Sequence, residues 1–410
     1  MHYDLIIIGM GLSGLMAAKT ATEMGKKVLI IGKGIGSLCL FSNTIDVLGI
    51  PLLEGPKAIK MSEGLSQWIK DHPQHPYSKL GWERISEALS SFTSLFPPPY
   101  FFQTIGDGNC LIPTGVGTFR PTYLIPISMI AGASLKEGAA LFVGFKGFKD
   151  FYANYAGRQF KCRGITLPLP DVFRQEITAT ALSRLMEKSL FRETVGKEIR
   201  KHLNDETCVG FPALLGMVDP VKVKNNLEEV IGAEVFEIPI LPPSIPGMRI
   251  FNRFKEWLIQ TGVTFLLGYS VSKAILRGKK CERIEISHPP VTNSYTADSY
   301  ILATGRFIGG GLIADEEKIY EPIFNLPVTQ PKSREDWFKK SFFDDVPHPV
   351  HQAGIVTDSS LQPIDDKGNL ILENLWIAGS ILAYHHCIHE KSREGIEIAT
   401  GYRAAQKALE

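Results

Sequence analysis

The order of apolar and polar positions lays out a strand, a turn and a helix within the first two dozen residues. Asp4 to Ile8 is a short apolar run, as in a strand buried on both faces of a parallel sheet. Ser13 to Met24 carries helical periodicity with Gly25 as its stop, and Lys26 to Ile31 reads as the next strand. Much later, Lys273 to Ile286 holds two apolar runs around a basic, glycine-containing turn, the pattern of a hairpin. Ser299 to Gly311 continues as a buried strand ending in Ala303, Thr304 and Gly305. Asn374 to Ser380 is a further strand ending in Gly379, and the chain closes on a helix from Gly395.

Between these parts, from about Gly55 to Gly268, the pattern changes character. Proline strings at Leu95 to Phe102 and Ile240 to Gly247 mark turns and edges, because proline continues neither a helix nor a central strand. Helical patterns span Asp171 to Arg184, Glu187 to Leu203 and Lys222 to Ile231. The expected fold is α/β, with a Rossmann-like flavin- or nucleotide-binding domain built on a parallel central sheet and a β meander. That domain is expected over residues 1–54, 269–312 and 352–410. An inserted α+β cap or substrate domain is expected over 55–268 with a further piece at 313–351.

Gly9, Gly11 and Gly14 stand in GxGxxG spacing at the joint of strand and helix. The first permits a tight turn, the second lets backbone approach a pyrophosphate, and the third lets helix pack on strand. The bare spacing also occurs in plain structural turns, but its setting between strand and helix points to a nucleotide or flavin. A strand ending in Ala-Thr-Gly lets backbone pass close to a cofactor, which nominates Thr304 and Gly305; Gly379 and Ser380 end the later strand in the same way. The helix from Gly395 either offers its N–H groups to negative charge on a flavin's pyrimidine edge or is only a docking helix.

One position breaks the pattern. In KKVLIIGKG, Lys26 to Gly34, Gly32 stands where such strands usually end on Asp or Glu to hold ribose hydroxyls. FMN lacks that ribose, so the missing acid argues for FMN or for an atypically held FAD, with Lys33 and Gly34 available to a phosphate.

Composition narrows the partners. Forty-four basic residues against forty-three acidic ones give a formal charge of +1, which supplies no case for nucleic acid or anionic lipid. Six cysteines are present, none closer than Cys162 and Cys208, so neither an iron–sulfur centre nor a structural zinc site is written in the spacing. Dispersed thiols suit a reducing cytoplasm, and if the protein moves electrons it must hand them to another subunit or molecule. The apolar run after Asp4 has no basic flank, and Tyr123 to Leu135 is too short for a span of ~20 residues, so membrane contact is expected only through a partner.

Several longer strings resemble the B subunit of anaerobic glycerol-3-phosphate dehydrogenase, a flavoprotein of the fumarate reductase and glutathione reductase type. They are GIGSLCLFSNTIDVLG (Gly34 to Gly49), LIPTGVGTFRPTYLIP (Leu111 to Pro126), FVGFKGFKDFYA (Phe142 to Ala153), VGFPALLGM (Val209 to Met217) and VFEIPILPPSIPGMRI (Val235 to Ile250). The likeness runs over about residues 3 to 408. It implies a complex that oxidises sn-glycerol 3-phosphate to dihydroxyacetone phosphate and passes electrons towards quinone. It also implies FMN in this chain, beside an iron–sulfur C subunit, which docks at the membrane, and a FAD-bearing A subunit. The chain departs from the family at Ile381 to Gly395, where Tyr384, His385, His386 and His389 replace a glycine-rich loop.

Oxidising such an alcohol needs a base for the hydroxyl proton and cations for the phosphate. Arg120 in GTFRPT and Arg393 in KSREG are the candidate cations, and His351 in PVHQAG the candidate base; each has an alternative as an ordinary packing or surface residue. Ser42, Thr44 and Asp46 fall in the loop expected to wrap the isoalloxazine, although Asp46 suits a turn cap equally. His385 and His389 have the i, i+4 spacing used for zinc, but lie in an expected loop with no third ligand, so no metal site is expected. Two other functions fit the residues: a structural subunit whose partner does the chemistry, and a flavin dehydrogenase of another hydroxy acid or sugar phosphate.

Overall fold

The structure, a computed structural model, describes residues 2–49, 59–169, 176–288, 291–344 and 346–410. Its main sheet has seven strands, and five of them run parallel in the order Thr264–Leu267, Val28–Gly32, His2–Ile8, Val291–Leu302, Leu375–Ile377. The two-fold period of a strand divides their side chains between two layers. Leu5, Ile7, Val28, Ile30 and Ile301 face the layer of helices, while Ile6, Ile8, Leu29, Ile31 and Leu302 face the meander side. All ten are at most 3% exposed, which is why the strands read as continuous apolar runs. Each such side chain contributes about 1.5–3 kcal/mol of transfer free energy.

The hairpin read at Lys273 to Ile286 is present as Val271–Arg277 and Lys280–His288, antiparallel to each other and to the start of Val291–Leu302. That last strand is long enough to serve two neighbours. Its first half closes the meander and its second half pairs with His2–Ile8 and Leu375–Ile377. The first helix, Leu12–Glu23, packs along the C-terminal helix, Arg393–Leu409. A Cβ on Gly401 would stand 2.3 Å from the Ser13 carbonyl oxygen, so the two backbones touch where only glycine fits.

The inserted segment differs from the expected division in three places. Thr264–Leu267 is the edge strand of the main sheet, paired with Val28–Gly32. Helices Met61–Asp71, Gly81–Thr93 and Ile245–Gln260 bury Leu65, Phe92 and Phe254 in the same core as the first helix. Ile319, Phe324 and Trp337 pack against the meander side of the sheet, so this part of 313–351 sits with the nucleotide fold. Sequence pattern missed these because an apolar helix face does not say which core it joins. The remaining insertion holds its own four-stranded parallel sheet, Glu234–Ile238, Cys208–Pro212, Ala140–Phe145 and Arg163–Leu167, with a separate core. Of its expected helices, two are Ser189–His202 and Pro220–Ile231, while the one read from Asp171 begins outside the described residues and is observed at Ala179–Met186.

A short antiparallel hairpin, Cys110–Pro113 with Phe119–Thr122, joins the two parts. At its base Leu124 pairs with Ile45, and near its tip the Gly115 N–H donates to the Pro239 carbonyl at 2.7 Å. Among the described residues, no helix is long and apolar enough to cross a membrane.

Candidate functional site

Three groups of residues meet where the first strand ends, and the glycine turn is the first. Gly9 has φ +119, and a Cβ there would lie 2.2 Å from the Ala303 carbonyl oxygen. Gly14 allows equally close contact with the Gly9 oxygen, at 2.0 Å. Gly11 is partly exposed, with the Gly36 Cα 3.9 Å from its Cβ position, while Gly34 has open space around it and Lys33 is exposed. The Thr304 hydroxyl is buried with no hydrogen-bond partner among the described residues. Gly305, at φ +71, lies beside Ser380, whose Oγ is 3.4 Å from the Gly305 Cβ position. Gly9 and Gly14 are thus filled by the chain's own backbone, while Gly11, Gly34 and the orphaned Thr304 hydroxyl are the parts of the turn whose chemistry fits a flavin phosphate.

The break in the pattern at Gly32 has a steric cause. A Cβ there would stand 2.3 Å from the Cβ of Met10, and Met10 is only 2% exposed. No carboxylate can reach a ribose from this position without displacing the glycine turn itself.

Gly379 and Gly395 serve packing. Gly379 has φ +82, faces Ser13 Oγ at 2.3 Å from its Cβ position and gives its N–H to Thr400 Oγ1 at 2.8 Å. The Gly395 N–H, expected to be offered to a flavin, donates instead to the Asp46 carbonyl at 2.9 Å. A side chain at Gly395 would collide with the Tyr77 hydroxyl.

The loop after the second strand is pinned rather than free. Asn43, at φ +57, donates to the Leu38 carbonyl at 2.7 Å, the Phe41 carbonyl at 2.6 Å and Ser244 Oγ at 3.1 Å. Ser244 also caps the helix Ile245–Gln260, accepting from the Gly247 N–H at 3.1 Å. The proline string thus starts a helix whose first turn abuts this loop. Ser42 and Thr44 are within 3.2 Å of each other, and Thr44 donates to Asp46 at 3.3 Å.

A buried charge network is the second group. Asp46, 1% exposed, pairs with Arg120. Burial outweighs that guanidinium and pushes the Asp46 carboxyl up to about 6. Arg393, which is 5% exposed, pairs with Glu394 and with Glu397 at 3.4 Å. It also donates to Ser37 Oγ at 2.8 Å and stacks over the Phe41 ring at 3.8 Å. Burial raises the Glu397 carboxyl to about 7. Arg393 is therefore enclosed by its own carboxylates, whereas Arg120 is the expected cation that lines an open cleft.

The third group is histidine-rich and surrounds Arg306. The Arg306 guanidinium donates to the carbonyls of His351, Leu382 and His385, and burial lowers its pKa to about 10. His385, fully buried, has its Nδ1 3.2 Å from that guanidinium, and burial with the adjacent cation holds it well below the usual histidine range. The His351 ring lies 4.7 Å from that of His386, and burial with His348 and Arg306 lowers its pKa. His75 meets Glu390 at 3.3 Å. A neutral His351 has the protonation state of a base but does not line the Arg120 cleft. Among the described residues no three His, Cys, Asp or Glu are placed to hold a metal.

Sequence reasoning did not nominate Arg306, His75, Glu394, Glu397 or Lys391. The Arg393 and Glu397 pair at i, i+4 was a readable signal; the others come together only through the fold.

Comparison with known proteins now defines the class. The family described as FAD binding domain matches residues 4–392, which makes this a flavin-binding oxidoreductase fold. A Halobacterium salinarum protein, named as the probable B subunit of anaerobic glycerol-3-phosphate dehydrogenase, is 32% identical, with 99% of this chain and 98% of the relative covered. The chain belongs to that B-subunit family within the FAD-binding-domain proteins. The Aliivibrio fischeri member is 29% identical, with 100% and 96% covered. A flavocytochrome c3 fumarate reductase in its open conformation superposes with a TM-score of 0.47 at 10% identity, over 100% of this chain and 79% of that one.

Proposed function

We propose that this chain is the flavin-bearing member of a complex that oxidises sn-glycerol 3-phosphate to dihydroxyacetone phosphate. Electrons then leave towards quinone through two partners, one bearing FAD and the other iron–sulfur clusters. The observation that carries the substrate is the full-length similarity to proteins named for this reaction, together with Arg120 facing a cleft. We further infer that the flavin is FMN, with FAD the alternative. Its support is Met10, whose Cβ fills the side-chain place at Gly32.

Bound flavin would supply the two-electron acceptor for the hydrogen leaving the alcohol carbon. Arg120 binds the phosphate as a fixed fork, its orientation set by Asp46. His351, its pKa lowered by burial, is the proposed base for the hydroxyl proton, at a position outside the lining of the Arg120 cleft. The protein is assigned to the cytoplasm, at the inner face of the membrane through a partner.

The test is anaerobic reduction of the bound flavin by glycerol 3-phosphate in the assembled complex, with wild type and Arg120→Gln. Wild-type flavin is expected to bleach, and the variant to lose at least about tenfold in kcat/KM. Absence of bleaching in wild type would contradict the function. A second reading, a structural role with the chemistry in a partner, is favoured by one observation: the Gly395 N–H is taken by Asp46. Unchanged turnover in Arg120→Gln would support it.

A further inference from the structure

The cleft beside Arg120 holds more positive charge than its walls neutralise. It encloses about 330 Å³ between the loop at Phe41 and Ser42, the hairpin residues Thr118 and Phe119, the proline string before the helix Ile245–Gln260, and Lys391. Two cations line it, Arg120 and Lys391. Asp46, the carboxylate paired with Arg120, is 1% exposed and committed to that pair. Among the described residues the Lys391 ammonium has no hydrogen-bond or ion-pair partner.

Lys391 is held there by its backbone and stem. Its φ is +51, a left-handed conformation that costs a non-glycine residue about 1 kcal/mol. Its Cβ would stand 2.4 Å from a Cβ on Gly49, so the lysine stem occupies the space that a Gly49 side chain would need. The Gly49 N–H donates to the carbonyl of Glu390 at 2.8 Å, which locks the two segments together. A lysine with a held backbone and an unpaired head is an anion receptor with part of its ordering entropy already spent. Burial and the neighbouring Arg120 lower its pKa, a penalty that an anion between the two would relieve.

The rest of the cleft selects among anions. Ser42 and Thr118 line it beside Phe41 and Phe119, a mixed polar and apolar wall. The volume is at the small end of the ~300–1,000 Å³ range of ligand sites, room for a short phosphorylated alcohol but not for a dinucleotide. We propose that this cleft seats a phosphate monoester between Arg120 and Lys391, with Lys391 as the cation that sets specificity for phosphate. The choice of ester rests on the proposed oxidation of glycerol 3-phosphate; the anion site rests on the cleft alone.

The experiment is titration calorimetry of the flavin-loaded full chain with glycerol 3-phosphate, inorganic phosphate and glycerol. Wild type is expected to bind both phosphate compounds and to show no heat with glycerol. Lys391→Gln is expected to weaken both by at least about tenfold, and Lys391→Arg to stay within about threefold, each unfolding at the wild-type temperature. Equal phosphate affinity in Lys391→Gln, or no phosphate binding in wild type, would overturn the site. If Lys391→Gln loses phosphate but glycerol 3-phosphate fails to bleach the wild-type flavin, the anion site stands and the proposed oxidation falls.

Discussion

Replacing Arg393 by leucine is expected to lower folding stability by about 3–5 kcal/mol, the usual cost of leaving buried charge unpaired. Glu394 is 0% exposed and Glu397 5%, and Arg393 is the cation that meets both. The Arg393 guanidinium also covers Phe41 and holds Ser37, so its loss frees one edge of the loop that leads to the cleft. Urea unfolding of the purified chain measures the effect, with Arg393→Lys as the variant that keeps charge but loses the fork. A loss below about 1 kcal/mol for leucine would mean that the buried network needs no cation at this position.

Restoring the missing acid is expected to fail. Gly32→Glu would place a Cβ 2.3 Å from the Met10 Cβ, and the Met10 backbone belongs to the glycine turn, so relief requires moving Gly9 and Gly11. The expected cost is about 1–3 kcal/mol of stability with loss of bound flavin, and no gain of FAD. Unfolding midpoints and flavin content per chain read this out. A Gly32→Glu chain of wild-type stability that takes up FAD would show that the carboxylate place is open.

The sheet was legible in the sequence because its strands are buried on both faces. Leu5 to Ile8 and Val28 to Ile31 have no polar residue to confuse the period, and the glycines that end them are forced by contacts as close as that of Gly9 with Ala303. Boundaries of the insertion were less legible, since Phe92 and Phe254 look alike whether their helices pack on this core or another. The site was legible in its types of residue and not in their assembly. Arg120 was nominated from GTFRPT and lines the cleft, whereas Arg393, nominated on equal grounds, is enclosed by Glu394 and Glu397. Lys391 gave no signal, because what fixes it is a glycine more than three hundred positions earlier. Gly32 was read as a missing carboxylate; the structure makes it a place where Met10 permits no side chain.

The most direct measurement of the central claim, a dinucleotide-type fold holding a flavin without its adenosine half, is acid release of the cofactor from purified chain followed by chromatography against FMN and FAD. FMN at close to one per chain is the expected result. FAD at that stoichiometry, or no flavin before or after reconstitution with either, would contradict it.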